Sequence, residues 1–137
     1  MDPVALTRLP DWDARLAETV SLWRARPFAW GAADCAAWAA ACVEATTGWR
    51  PALPRYTTEA GAARALRRLG HASLAEAASA VLGPAVAWGA LRRGDIVWDG
   101  RALGCWWYEA GPSGLFVGPE GLVAAVPVAD WRGWKVG

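Results

Sequence analysis

The sequence predicts one α+β domain over residues 1–137, with N-terminal helices packed on a C-terminal antiparallel sheet of about five strands. Three observations lead there. The chain has 137 residues, enough for a single domain with a real core. Apolar residues recur at helical spacing through the first 82 positions. After Leu91 the pattern changes to short β-prone runs punctuated by Gly and Pro. Helices followed by strands make an α+β plan.

The first helix opens at Pro10-Asp11, with Asp11 as its expected N-cap. Trp12, Leu16, Val20 and Trp23 form one face of it, and Pro27 ends it. Asp34 is expected to cap a second helix that runs to Thr47, with Gly48 as its C′ residue. Its Ala-rich faces predict close packing on all sides, so this helix is expected to be central and buried. A third helix covers about 58–69, with Ala62, Leu66 and Leu69 inward and Arg64, Arg67 and Arg68 outward. Ser73-Leu74-Ala75-Glu76 is a capping box for a fourth, which runs to Leu82 and is broken by Gly83-Pro84. The expected strands are 95–98, 103–109, 115–118, 122–128 and 131–136, joined as a meander.

Composition excludes several function classes. Hydrophobic residues make up 55% of the chain and charged residues 20%, which describes a globular rather than a disordered chain. The net charge is +1, and Arg67-Arg68 and Arg92-Arg93 are only short pairs, so no nucleic-acid partner is expected. Cys35 to Val43 is too short to span a bilayer, and no membrane span is expected. Met1-Asp2-Pro3 has no positive n-region and no apolar run follows, so no signal peptide is expected. Two readings of the 11 Trp residues compete: core packing, or an exposed platform for a sugar or protein. Packing is favoured, because many of them fall on apolar stripes.

Cys35, Cys42 and Cys105 are the only cysteines and His71 the only histidine. Cys35 and Cys42 share a helix, so their Cα atoms stand about 10 Å apart. That exceeds the roughly 7 Å limit for a disulfide, and it also prevents the pair from sharing one metal. With no Cys-x-x-Cys, neither a metal nor a cofactor is expected. Cys35 is the candidate nucleophile. It sits in the first turn of its helix, where free N–H groups and the macrodipole stabilise a thiolate. The alternative is a buried Cys that only fills space beside an ordinary N-cap.

Pro27-Phe28-Ala29-Trp30-Gly31-Ala32-Ala33-Asp34-Cys35 resembles the entry to the nucleophile helix of NlpC-like cell-wall cysteine peptidases. Arg93-Gly94-Asp95-Ile96-Val97 is similar to the strand start that precedes their catalytic His. A narrower resemblance is to small phage and prophage proteins related to those peptidases. It adds Thr47-Gly48, the pair Arg55-Tyr56, Gly121-Leu122 and a closing Trp134. The resemblance implies a papain-like fold of the NlpC type. It also implies a tail-tip or tail-assembly role in phages or gene transfer agents, with tail or hub proteins as partners and peptidoglycan as a possible one. The implied location is the virion tail, or the bacterial cytoplasm during assembly.

The enzymatic version of this role, peptidoglycan cleavage, needs a base beside the thiol. In the peptidases that His precedes a Val-Gly or Leu-Gly pair; here Ala102 precedes Leu103-Gly104. His71 lies in a turn between helices, where it is expected to be exposed unless the turn folds it over Cys35. Asp95, Asp130 and Glu109 read as structural or solvated groups. The expectation is therefore a structural tail protein with a catalytically inactive NlpC-like fold and a vestigial Cys35. The alternatives are an active cysteine hydrolase, acting as a peptidoglycan endopeptidase or amidase, and a non-hydrolytic glycan-binding module.

Overall fold

One helix without a solvent face organises the chain. The computed structural model describes residues 2–137. It places four helices ahead of the sheet: α1 (Trp12–Trp23), α2 (Cys35–Thr47), α3 (Glu59–Arg68) and α4 (Leu74–Leu82). From Ala36 to Val43 every residue of α2 is buried, as are Ala45 and Thr46. Alanines give α2 a thin profile, so α1 and the sheet approach its backbone closely. Trp38, fully buried, donates its indole N–H to the Leu115 carbonyl at 2.8 Å and packs 5.2 Å from Trp23 of α1. Gly48 ends the helix in the left-handed conformation and donates its N–H to the Glu44 carbonyl.

The sheet contains β1 (Val86–Ala87), β2 (Ile96–Trp98), β3 (Leu103–Tyr108), β4 (Pro112–Gly118), β5 (Gly121–Ala125) and β6 (Arg132–Trp134). Its order is β1-β6-β2-β3-β4-β5, antiparallel throughout and open at both edges. Strand alternation divides the apolar residues between two faces. Ile96, Leu103, Cys105, Leu115 and Trp134 join the core around α2. On the other face Val97, Trp106 and Phe116 pack with Leu91 and Trp131 in a smaller cluster.

The structure departs from the sequence expectation in four places. The sheet has six strands, because two-residue β1 is too short to show any alternation. The meander holds from β2 to β5, but β6 then returns to pair between β1 and β2. Asp11 makes no capping bond. Helix α1 ends at Trp23, well before Pro27, because residues 24–28 leave it for the sheet edge: Arg24 O accepts from Leu122 N at 3.0 Å, and Phe28 N donates to Gly118 O at 3.1 Å.

Asp95 is more than a turn residue. It accepts from Arg92 N at 2.8 Å, as an Asx-type turn requires, but it is fully buried and has three further partners. These are Arg8 Nη2 at 2.9 Å, Val136 N at 2.8 Å and Lys135 Nζ at 2.8 Å. One carboxylate thus ties residue 8, the 92–95 turn and residues 135–136 together. Burial pulls the Arg8 guanidinium below its ordinary value, while the charge of Asp95 holds it up. Removing one member of a buried pair leaves the other charge uncompensated. Asp95→Asn is therefore expected to destabilise the fold by about 3–5 kcal/mol, measured by urea unfolding; a loss within the error of Asp130→Asn, an exposed control, would contradict this role.

Candidate functional site

The site begins with the turn into α2. Asp34 has extended backbone and caps the helix, its Oδ1 accepting from Ala37 N at 2.9 Å. Its Oδ2 accepts from Gly31 N at 2.9 Å and from the Tyr56 hydroxyl at 2.6 Å. The carboxylate is buried and fully engaged, so it positions the turn and is not free to act as a base. Gly31 has a φ of +80°, and a Cβ there would lie 1.9 Å from the Tyr56 carbonyl oxygen. Glycine is thus required twice, for its backbone conformation and for the close approach of residue 56. Burial, reinforced by the hydrogen bond to Asp34, pushes the Tyr56 phenol well above its ordinary value.

Cys35 follows as the first residue of α2, half-buried, its side chain lining a cavity of about 190 Å³. The cavity lies between α2, the α3–α4 pair, the 51–56 loop and the ends of β2 and β3. Its wall is mostly aliphatic, with Ala36, Ala39, Leu66, Leu74, Ile96 and Leu103 among its members. Burial raises the Cys35 thiol above its ordinary value. Backbone N–H groups, led by that of Leu103, pull the other way, and the negative charge of Asp34 adds to the rise. Desolvation is the larger influence and opposes the helix-start effect at this thiol.

The residue of β3 that faces Cys35 is Leu103, not Ala102. Ala102 belongs to the cluster on the opposite face of the sheet, one step out of phase. Neither side chain can accept a proton. His71 lines the same cavity as Cys35, half-buried, with its Nδ1 3.7 Å from Glu76 Oε1.

The other cysteines form a pair that the sequence did not reveal. Cys42 of α2 and Cys105 of β3 are fully buried neighbours; Cys105 Sγ donates to Trp106 O at 3.6 Å, and burial, with Cys105 beside it, pushes the Cys42 thiol far up. Among the described residues no group of three or more His, Cys, Asp or Glu is placed to hold a metal ion. No helix there is long and apolar enough to cross a membrane. Trp23, Trp38, Trp106, Trp131 and Trp134 are buried in the core, whereas Trp30 and Trp49 are exposed. Of these two, Trp30 stands at the edge of the Cys35 cavity.

Sequence reading found Asp34 and Cys35, because capping is a local signal. Tyr56 was visible only as part of the pair Arg55-Tyr56, since its partner lies 22 residues away. The comparisons give one positive finding. A family model described as "Domain of unknown function (DUF6950)" matches residues 7–136. No curated protein and no solved structure matches the chain.

Two substitutions test the turn. Gly31→Ala should cost about 2 kcal/mol or more through backbone strain, seen as a lowered thermal midpoint. Tyr56→Phe removes a charge-assisted bond and should cost about 1.5 kcal/mol. Wild-type stability in Gly31→Ala would contradict the steric requirement at residue 31, and in Tyr56→Phe would show that the bond to Asp34 does not hold the turn.

Proposed function

We propose that this chain, which belongs to the DUF6950 family, is a non-catalytic domain of the papain-like NlpC type that serves as a structural protein of a phage tail tip or of tail assembly. The observation that carries the non-catalytic part is the setting of Cys35. A nucleophile's position at a helix start is occupied, but the thiol is pushed up by burial and faces Leu103 where a base would stand. Support for the fold type comes from the Phe28-to-Cys35 entry onto a buried helix that packs against an antiparallel sheet.

The tail role is supported by the resemblance of the Trp30-Gly31 to Asp34-Cys35 segment, the Gly94-Asp95 strand start and Trp134 to the phage and prophage group. An assembly protein must also present surface to partners. Trp30, Leu53 and Leu69 are all exposed and lie around one cavity, an arrangement that suits docking better than isolated surface apolar residues do. Purified protein should bind tail or hub proteins encoded beside it, with binding weakened by Trp30→Ala. A protein that stays monomeric and has no affinity for any of them would defeat this reading.

One observation favours a second reading, an active cysteine hydrolase acting on peptidoglycan peptides: His71 lines the cavity that contains Cys35. The discriminating measurement is cleavage of muropeptides. The non-catalytic reading expects no release of product by wild type. Cleavage that is lost in both Cys35→Ala and His71→Ala would establish the hydrolase instead.

A further inference from the structure

The sheet has two edges, and they are not equally protected. An edge strand offers unpaired N–H and C=O groups, so folded chains keep such strands short, charged or covered. At one edge β1 is short, with only two residues. At the other edge β5 has five. No Asp, Glu, Lys or Arg occurs from Gly121 to Ala129, in a chain that is 20% charged. Ala124 is exposed, as are Val123 at 53%, Val126 at 78% and Val128 at 57%.

Hydrogen bonding fixes which groups of β5 face outward. Leu122 donates its N–H away from β4, to Arg24 O at 3.0 Å. Outward and inward groups alternate along an antiparallel strand. Ala124 therefore turns its N–H and C=O outward too, and Val126 is next in phase. Among the described residues no backbone bond reaches Ala124 or Val126 from outside the sheet. Pro127 has no N–H to give, but it falls in the inward phase, where the open edge loses no donor.

The open stretch is bounded at both ends. At one end the Arg24–Ala25 backbone lies against the strand: a Cβ on Gly121 would stand 2.0 Å from Arg24 O and 3.1 Å from Ala25 Cα. At the other end the chain turns back at Val128, whose carbonyl accepts from Trp131 N at 3.1 Å. Residues 123–127 lie between, with Ala125 at the centre. A two-fold axis at Ala125 pairs this stretch with a second copy of itself and leaves no residue over. Ala124 then stands opposite the second copy's Val126, and each such pair exchanges both of its N–H···O bonds. The same pairing brings the exposed Val123 and Val126 of each copy against the other and removes apolar surface from water.

Charge and length select the occupant. A neutral stretch sets no like charges against each other when it meets its own copy, as a two-fold interface requires. A charged strand from another protein would find no complement there, and a longer one would run into Arg24 and Ala25. We propose that this protein forms a two-fold dimer by joining β5 to β5 across Ala125, so that the sheets of two copies become one. The surface is separate from the Cys35 cavity and its rim, and the proposal does not rest on the tail role.

Sedimentation equilibrium of the full chain over a range of concentrations tests it. Wild type should fit a monomer–dimer equilibrium. Ala124→Pro removes only an outward N–H, which an edge strand tolerates. It should weaken association about tenfold or more, because one bond is lost on each side of the axis. Val126→Lys changes an exposed side chain and sets like charges near the axis, so it should weaken association at least as much and keep the thermal midpoint. Leu22→Lys, an equally apolar exposed change on α1, should leave the dimer intact. If Ala124→Pro fails to fold, Val126→Lys decides. A wild type that is monomeric throughout, a dimer untouched by Val126→Lys, or open-ended polymers in place of a dimer would each overturn the proposal. So would a monomeric wild type that instead captures an uncharged, valine-rich peptide, since the edge would then belong to another protein's strand.

Discussion

The carboxylate of Asp34 is the constraint on which the site depends. A buried carboxylate without partners costs several kcal/mol, so its three donors are a condition of the fold. They come from separate places: Gly31 in the entry turn, Ala37 in α2 and Tyr56 in the following loop. Satisfying one charge therefore sets where α2 starts, how the chain turns into it and where residue 56 crosses it. Gly31 is the steric counterpart, because any side chain there would collide with the Tyr56 carbonyl. The wall of the cavity and the place of Cys35 within it follow from that arrangement.

Asp95 plays the corresponding part at the other end of the molecule. It joins Arg8, the 92–95 turn and residues 135–136 around a buried charge, and so ties the first and last parts of the chain to β2. Both buried carboxylates are fully engaged in holding structure. Neither is available as a base to Cys35, and Asp34 works against the thiolate through its own charge. The helix dipole alone would lower the thiol. In this setting it is outweighed by the aliphatic wall, which is why position and chemistry come apart at Cys35.

The parts legible in the sequence were those with local causes. The Asp34 cap and Gly48 bound α2 where expected, Ser73 caps α4 as its capping box predicts, and the alanine pattern identified α2 as the buried helix. The exit to an antiparallel sheet was also legible, from alternation and Gly/Pro punctuation. What escaped was contact between distant segments. The return of β6 beside β2, the Cys42–Cys105 contact, the Tyr56–Asp34 bond and the four partners of Asp95 each join residues whose local sequence does not announce a partner. Asp11 shows the converse: a good local cap signal left unused. The motif register of the resemblance puts Ala102 where a base would stand, whereas Leu103 lines the Cys35 cavity and Ala102 packs on the other face of the sheet, a phase that a motif match does not fix.

The central claim is that Cys35, at the start of a buried helix, lacks the electrostatics of a nucleophile. The most direct measurement is the rate of Cys35 alkylation by iodoacetamide in the folded protein from pH 5.5 to 10, with the modified residue identified by peptide mass. The account expects slow reaction at pH 6, and a rate still climbing above the pH at which a free thiol levels off, because burial holds the proton on sulfur. Rapid alkylation at pH 6 that levels off by neutral pH and is slowed by His71→Ala would contradict it, since that profile belongs to a thiolate paired with an imidazolium.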